Sequence, residues 1–163
     1  MRVSRAAQMG VGIVMEKALR EKLAGGKFNN VAAIDSKRMR AIKGRGNKTT
    51  EVVLRMLLVR FGIKGWRMHP KGVPGKPDFF FPAEKVAVFT DGCYWHGCMR
   101  CGHVPKVNTL FWSAKIERNK KRDSEKVAAL EAIGVRSLRL WEHDLKENLD
   151  GCIVRLKGLL AVR

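Results

Sequence analysis

Between Asp91 and Cys101 the chain reads Asp-Gly-Cys-Tyr-Trp-His-Gly-Cys-Met-Arg-Cys, so three of its four cysteines crowd around two aromatic residues and a histidine. A second histidine follows far downstream in Trp141-Glu142-His143. Thiolates and imidazole are the ligands Zn²⁺ prefers, and a structural zinc site is closed by four protein ligands. Cys93, Cys98, Cys101 and His143 therefore form a candidate tetrahedral zinc set, with His103 an alternative to Cys101 or His143. A metal-pinned loop of this kind can present the rings of Tyr94 and Trp95 together with the acid/base group of His96, a combination suited to chemistry on nucleic acid. Read instead as a redox pair, Cys98-Met99-Arg100-Cys101 should open a helix after a strand. Gly102 and Pro105 follow it here.

A second constellation consists of Pro77-Asp78 and Phe89-Thr90-Asp91. If the two segments pair, Asp78, the main-chain carbonyl of Thr90 and Asp91 come to one solvent-open point. Hard oxygen ligands of that kind suit Mg²⁺, which keeps several waters and completes its shell with substrate phosphate. A water activated by the metal can attack a phosphodiester. His96, not needed for zinc, can act as general base or stabilise phosphate charge. Glu51 could orient His96 or a metal-bound water, although a carboxylate in the first turn of a helix is favourable through the helix dipole alone.

Positioning these groups requires a frame. Helices are expected over Val11 to Ala24, Ile34 to Ile42, and Thr49 to Phe61, the last from the spacing of Leu54, Leu57, Leu58 and Phe61 before Gly62. Short extended segments follow at Trp66 to His69, Asp78 to Phe81 and Lys85 to Thr90, and the Pro82-Ala83 turn makes the last two an antiparallel pair. That hairpin brings Asp78 and Thr90 to one end of a sheet. Thr109 can cap a helix from Leu110 to about Ile133, ended by Gly134; Val135 to Leu140 reads as a buried strand, and Cys152 to Val162 as a final helix. The order implies an α/β sandwich with a mixed central sheet and helices on both faces. Residues 1–30 are basic and rich in Gly and Ala and read as an extension; residues 31–163 read as a single domain.

Lysine and arginine number 33 against 15 acidic residues, a formal charge of +18, so the chain should bind polyanions by releasing condensed counterions. No apolar run approaches the roughly 20 residues needed to span a bilayer, which directs that charge to nucleic acid and not to a membrane. Crowded Cys93, Cys98 and Cys101 with Cys152 standing alone point to a reducing, intracellular compartment, and Cys152 reads as a small buried residue.

At these residues the chain resembles the very short patch repair endonucleases, the Vsr-type mismatch nucleases of the restriction-endonuclease-like superfamily. The resemblance runs from about Asp35 to Leu145 through several ordered motifs: Ser36 to Ile42, Thr50-Glu51, Pro74-Gly75-Lys76-Pro77-Asp78, Phe89 to His96, Phe111-Trp112 with Lys115-Ile116 and Asn119, and Trp141-Glu142-His143. It implies a restriction-endonuclease-like three-layer sandwich and Mg²⁺-dependent nicking of one DNA strand beside a T:G mismatch, in the repair of deaminated 5-methylcytosine. In the family the aspartate corresponding to Asp78 holds magnesium, the threonine at Thr90 contributes its carbonyl, the histidine at His96 assists at the phosphate, and Glu51 matches an acidic helix residue. The resemblance assigns Tyr94, Trp95 and Trp112 to an aromatic wedge and places Met39, Lys115 and Asn119 near the mispaired bases. Insertion of rings between base steps costs a few kcal/mol, less at a mismatch. Asp91 stands where the best-known member has a histidine, and the zinc set is richer in cysteine.

Two other readings make different demands. A nuclease of the same fold acting in homing or alongside DNA modification would recognise sequence without needing a mismatch. A noncatalytic, zinc-stabilised DNA-binding module would bind with steep salt dependence and would not need Asp78. Double-stranded DNA is the expected partner, a monomer the default state, and accessory repair proteins are possible additions.

Overall fold

The computed structural model describes Leu19, residues 21–23, Gly25 and residues 46–162. Met39 and the expected helix at 34–42 lie outside the described residues, as does most of the expected helix at 11–24 and of the extension at 1–30. The described residues fall into two units. One joins Leu19, residues 21–23 and Gly25 to Val104–Arg118; the other comprises residues 46–103 and 119–162.

The larger unit is organised by a four-stranded mixed sheet: β1 (Arg67–Met68), β2 (Phe79–Phe81), β3 (Val86–Asp91) and β4 (Arg136–Trp141), in spatial order 1-2-3-4. β2 and β3 form the expected antiparallel hairpin, with Phe79 opposite Val88 and Phe81 opposite Val86. β3 and β4 run parallel, in a register that sets Thr90 beside Leu140 and Asp91 beside Trp141. A parallel pair needs a long crossover. Here it contains the cysteine loop and helix α2 (Thr109–Glu131).

β3 is buried at all six positions, the pattern of a strand covered on both faces. Val86 and Val88 join Phe79, Phe81, Leu138 and Leu140 in a core completed by Leu54, Leu57 and Leu58 of helix α1 (Glu51–Arg60) and Ile153 and Leu156 of helix α4 (Leu149–Ala161). Ala87 and Phe89, the alternate residues, meet Leu130 of α2 and Val135 in a separate cluster. Helices thus cover both sides of the sheet, giving the three layers. Within α2, Asn119, Asp123 and Leu130 are buried at helical spacing and define the face that meets the sheet.

Both α1 and α2 end in the glycine-dependent motif that satisfies their last carbonyls. Gly62 and Gly134 adopt φ of +63° and +69°, and the amides of Ile63 and Val135 return to Leu58 O and Leu130 O at 2.9 and 3.0 Å. Thr109 differs from expectation. It is the first residue of α2, and its hydroxyl donates back to the carbonyls of Pro105 and Lys106 at 2.9 Å instead of accepting an amide. A short helix α3 (Glu142–Glu147) also precedes α4, which begins three residues earlier than the expected Cys152. Asn148 explains the split: its Oδ1 accepts from Gly151 N at 3.0 Å, capping α4.

In the smaller unit, Leu19 and Leu23 pack on Phe111, with Trp112 and Ala114 partly buried against them. Trp112 therefore has a packing role at a helix start. Leu140→Ala, which opens the fully buried inner core, should lower the unfolding free energy by about 2–5 kcal/mol in urea melts. Val154→Ala, on the exposed side of α4, should change it by less than about 0.5 kcal/mol.

Candidate active site and metal centre

Asp78 immediately precedes β2, and its backbone N–H donates to Val88 O at 3.1 Å, locking the carboxylate against the end of β3. Thr90 answers from that strand: its main-chain N–H and hydroxyl both donate to Asp78 Oδ2, at 2.7 and 2.9 Å. No described residue hydrogen-bonds Oδ1, which can face a cation. Burial raises the Asp78 carboxyl above its ordinary value against the opposing pull of the two Thr90 donors, and the charges of Glu51 and Asp91 raise it further.

Glu51, buried at the start of α1, does not meet His96. Its Oε2 accepts from Gly46 N at 3.0 Å and lies 2.9 Å from His69 Nε2. Ligand atoms of Glu51, His69 and Asp78 lie within 4.8 Å of one another, a spacing at which one divalent ion could contact all three. His69, at the end of β1, was not distinguished in the sequence because nothing local separates it from any other strand-end residue. Only the pairing of β1 with β2 reveals it.

Asp91 departs from the expected grouping. Adjacent strand residues point to opposite faces, so while Thr90 turns to Asp78, Asp91 turns toward α2. There Asp91 Oδ2 is 2.6 Å from Arg139 Nε, and its Oδ1 is 3.6 Å from His96 Nε2. The opposite ring nitrogen, His96 Nδ1, is 2.5 Å from Asp123 Oδ2. Asp123 also takes Lys126 Nζ at 3.0 Å and Arg139 at 3.5 Å. Burial opposes ionisation of Asp123, but hydrogen bonds from His96 and Lys126 outweigh it and hold the carboxyl down at about 2. Burial raises Asp91, with His96 and Arg139 only partly countering it. Asp123 is thus the carboxylate that orients His96. Its only sequence signal was helical spacing, four residues after Asn119 and three before Lys126.

Asn119 itself holds the loop: its Nδ2 donates to Trp95 O at 2.8 Å, and Arg122 donates to its Oδ1 at 3.0 Å. Tyr94 and Trp95 pack edge to face with centroids 4.9 Å apart, and His103 meets Tyr94 edge to face at 5.6 Å, outside the cluster formed by Cys93, Cys98, Cys101 and His143. In the smaller unit, Lys115 Nζ lies 5.4 Å from the Trp112 ring.

The parallel β3–β4 register builds the metal centre. Cys93 stands two residues beyond Asp91 and His143 two residues beyond its partner Trp141, so both arrive at the same level. His143 Nδ1 lies 3.2, 3.5 and 3.4 Å from the sulfurs of Cys93, Cys98 and Cys101, and the sulfurs of Cys98 and Cys101 are 3.6 Å apart. A zinc tetrahedron with ordinary bond lengths has S···N and S···S edges of about 3.6 and 3.8 Å. The donor set therefore fits Zn²⁺. His143 Nε2 is 3.1 Å from Asp144 Oδ1, the outer carboxylate that fixes a ligating imidazole. The loop turns tightly at Gly102, where a Cβ would fall 2.4 Å from Cys98 O. Burial and neighbouring thiols push the Cys93 sulfhydryl up to about 12; bound Zn²⁺ would ionise it.

No helix among the described residues is long and apolar enough to cross a membrane. Comparison with known proteins gives a consistent result. The family model described as DNA mismatch endonuclease Vsr matches residues 31–101. The type II nicking enzyme V.XorIIP of Xanthomonas oryzae is 40% identical over 116 residues, covering 70% of this chain and 83% of that protein. V.NaeI of Lentzea aerocolonigenes, also a type II nicking enzyme, is 39% identical, covering 73% of this chain and 74% of that protein. The DNA mismatch endonuclease Vsr of Escherichia coli is 37% identical, covering 70% of this chain and 72% of that protein.

Two expectations follow from the site. The protein should carry one Zn²⁺ per chain, and Cys98→Ser should lower both zinc content and melting temperature, as measured by metal analysis and thermal denaturation. The carboxylates of Asp78 and Asp123 should respond oppositely to neutralisation. Asp78 has a raised folded pKa, so its ionisation costs stability as pH rises through that value; Asp123 has a lowered one, so its stabilisation is present above pH 3.8 and lost as pH falls toward about 2. At pH 7, without added Mg²⁺, Asp78→Asn should raise the melting temperature, whereas Asp123→Asn should lower stability by roughly 2 kcal/mol.

Proposed function

The chain belongs to the Vsr family of DNA endonucleases, and on that basis we propose that it nicks one strand of duplex DNA beside a T:G mismatch in a Mg²⁺-dependent reaction, in the repair of deaminated 5-methylcytosine. The observation that carries the catalytic reading is a carboxylate held by both donors of Thr90 at the end of β3, with a carboxylate-oriented imidazole in the loop that follows.

In this reading Asp78 and the Thr90 carbonyl would hold Mg²⁺, which when bound would activate water and neutralise charge at the phosphate. Thr90 also fixes the Asp78 carboxylate, so little reorganisation is needed when metal and DNA arrive. Asp123 holds His96 by Nδ1 and directs Nε2 toward the substrate side, where it transfers a proton or donates to a phosphate oxygen. Asp91 sits beside that nitrogen at 3.6 Å and, paired with Arg139, positions the imidazole instead of binding metal. Glu51 acts on the metal side, through His69 or a metal-bound water.

Tyr94 and Trp95 are the proposed wedge, on a loop anchored by Asn119, with Trp112, Lys115 and Met39 contributing DNA contacts. The family description and the name of the Escherichia coli relative support mismatch recognition. The type II nicking enzymes among the relatives support a second reading, in which the chain nicks a defined sequence without requiring a mismatch.

Labelled duplexes of one sequence, carrying T:G or T:A at a single position, separate the two readings. Mismatch repair predicts Mg²⁺-dependent nicking confined to the T:G duplex, and equal cutting of both would transfer the assignment to sequence-specific nicking. His96→Ala should slow the nicking step by about 10²–10⁴-fold. Asp78→Ala, which removes a metal ligand, should cost more than the 10–100-fold typical of outer-sphere changes. Unimpaired nicking by Asp78→Ala would sink the catalytic assignment.

A further inference from the structure

Two pairs of carboxylates flank the end of β3, all buried but the half-buried Asp78, and they are compensated differently. Asp91 and Asp123 share Arg139, and Lys126 pairs with Asp123, so their charge is largely compensated within the protein. Among the described residues neither Glu51 nor Asp78 pairs with a lysine or arginine, and the side chain drawn between them is the imidazole of His69. A buried and a half-buried anion without a basic partner among the described residues make a site that a cation can compensate, because uncompensated charge removed from water is costly.

His69 is suited to meet that cation. Its Nε2 lies 2.9 Å from Glu51 Oε2, close to the roughly 3 Å that separates adjacent ligand atoms on an octahedral ion with metal–ligand bonds of about 2.1 Å. Its backbone adopts φ of +44°, a left-handed conformation uncommon for residues other than glycine, and its N–H is tied to Asp78 O at 3.0 Å. Strain of this type persists where the surroundings impose it, and it clusters at functional sites. One hydrogen bond thus couples the backbone that carries the imidazole to the residue that carries the metal carboxylate.

We infer that His69, with Asp78 and Glu51, is a direct ligand of the divalent ion, and that its nitrogen biases the site toward Mn²⁺ over Mg²⁺. The inference rests on the proposed reading of Asp78 as the metal carboxylate. Mg²⁺ is a hard ion that takes oxygen ligands and dehydrates reluctantly, whereas later divalent ions accept imidazole more readily. With the Thr90 carbonyl the ion then has four protein ligands and binds the protein before DNA arrives.

The test uses the zinc-loaded full chain without DNA, titrated with Mn²⁺ and followed by electron paramagnetic resonance, with pulsed measurements to detect nitrogen coupled to the bound ion. Wild type is expected to bind one Mn²⁺ with nitrogen coupling, and more tightly than Mg²⁺ in competition. His69→Asn, chosen because asparagine tolerates a left-handed backbone, should abolish the coupling and weaken Mn²⁺ by about 10-fold or more, with a smaller effect on Mg²⁺. His69→Gln provides a second variant, and zinc content with a melting curve establishes that each is folded. Mn²⁺ bound without nitrogen coupling, at an affinity unchanged in both variants, would overturn His69 as a ligand while leaving Asp78 as the metal carboxylate. Mn²⁺ binding unaffected by Asp78→Asn would remove that premise and the inference with it.

Discussion

Because strand β3 is buried on both faces along its whole length, each functional side chain it carries is committed to one side of the sheet. Thr90 faces the layer of α1 and meets Asp78, while Asp91, one residue on, faces α2 and meets His96 and Arg139. A one-residue slip of register would exchange those assignments and expose the apolar set to the wrong layer. The same packing that stabilises the fold therefore fixes which carboxylate is available to a metal and which supports the imidazole.

The two sides treat buried charge in opposite ways. On the α2 side, Lys126 and Arg139 neutralise Asp91 and Asp123, and the Asp123 carboxyl stays ionised and holds His96 by one nitrogen. This arrangement rigidifies the imidazole with most of the buried charge compensated, although burial still holds the Asp91 carboxyl above its ordinary value. On the α1 side the carboxylates of Glu51 and Asp78 have hydrogen-bond donors but no basic partner among the described residues. That side is less favourable in the protein alone and improves when a cation enters. Stability is surrendered where ligand binding can restore it.

Much of this frame is legible in sequence because it depends on local patterns. The β2–β3 hairpin follows from aromatic and β-branched residues around Pro82-Ala83, and that hairpin alone brings Asp78 to Thr90. The zinc set is legible because cysteine in a cluster has few other uses. His69 and Asp123 were not legible, since each gains its meaning from a partner distant in sequence: His69 through the pairing of β1 with β2, Asp123 through the packing of α2 on the sheet. The expected convergence of Asp91 with Asp78 failed for the opposite reason. Neighbours in sequence were taken as neighbours in a site, although the pleat of a strand separates them. Glu51 has His69 as its partner, where the sequence left it to orient either His96 or a metal-bound water.

The loop from Gly92 to His103 carries His96, Tyr94 and Trp95 but forms no helix or strand. Its internal backbone bonds are few, chiefly Cys98 N to Cys93 O and Gly102 N to Cys98 O. Three of its side chains are thiols whose best use is a common ion, and the fourth ligand comes from the segment following β4. A zinc there would tie the loop to the two strands whose parallel register already sets Asp91 beside Trp141. His96 is then held from both ends, by β3 on one side and the metal centre on the other, with Asp123 fixing the ring. Loss of zinc should therefore disturb the nicking step even though the zinc centre has ligands distinct from those proposed for the reaction. A zinc bound there would help set how closely the imidazole, held by Asp123, keeps its place relative to Asp78.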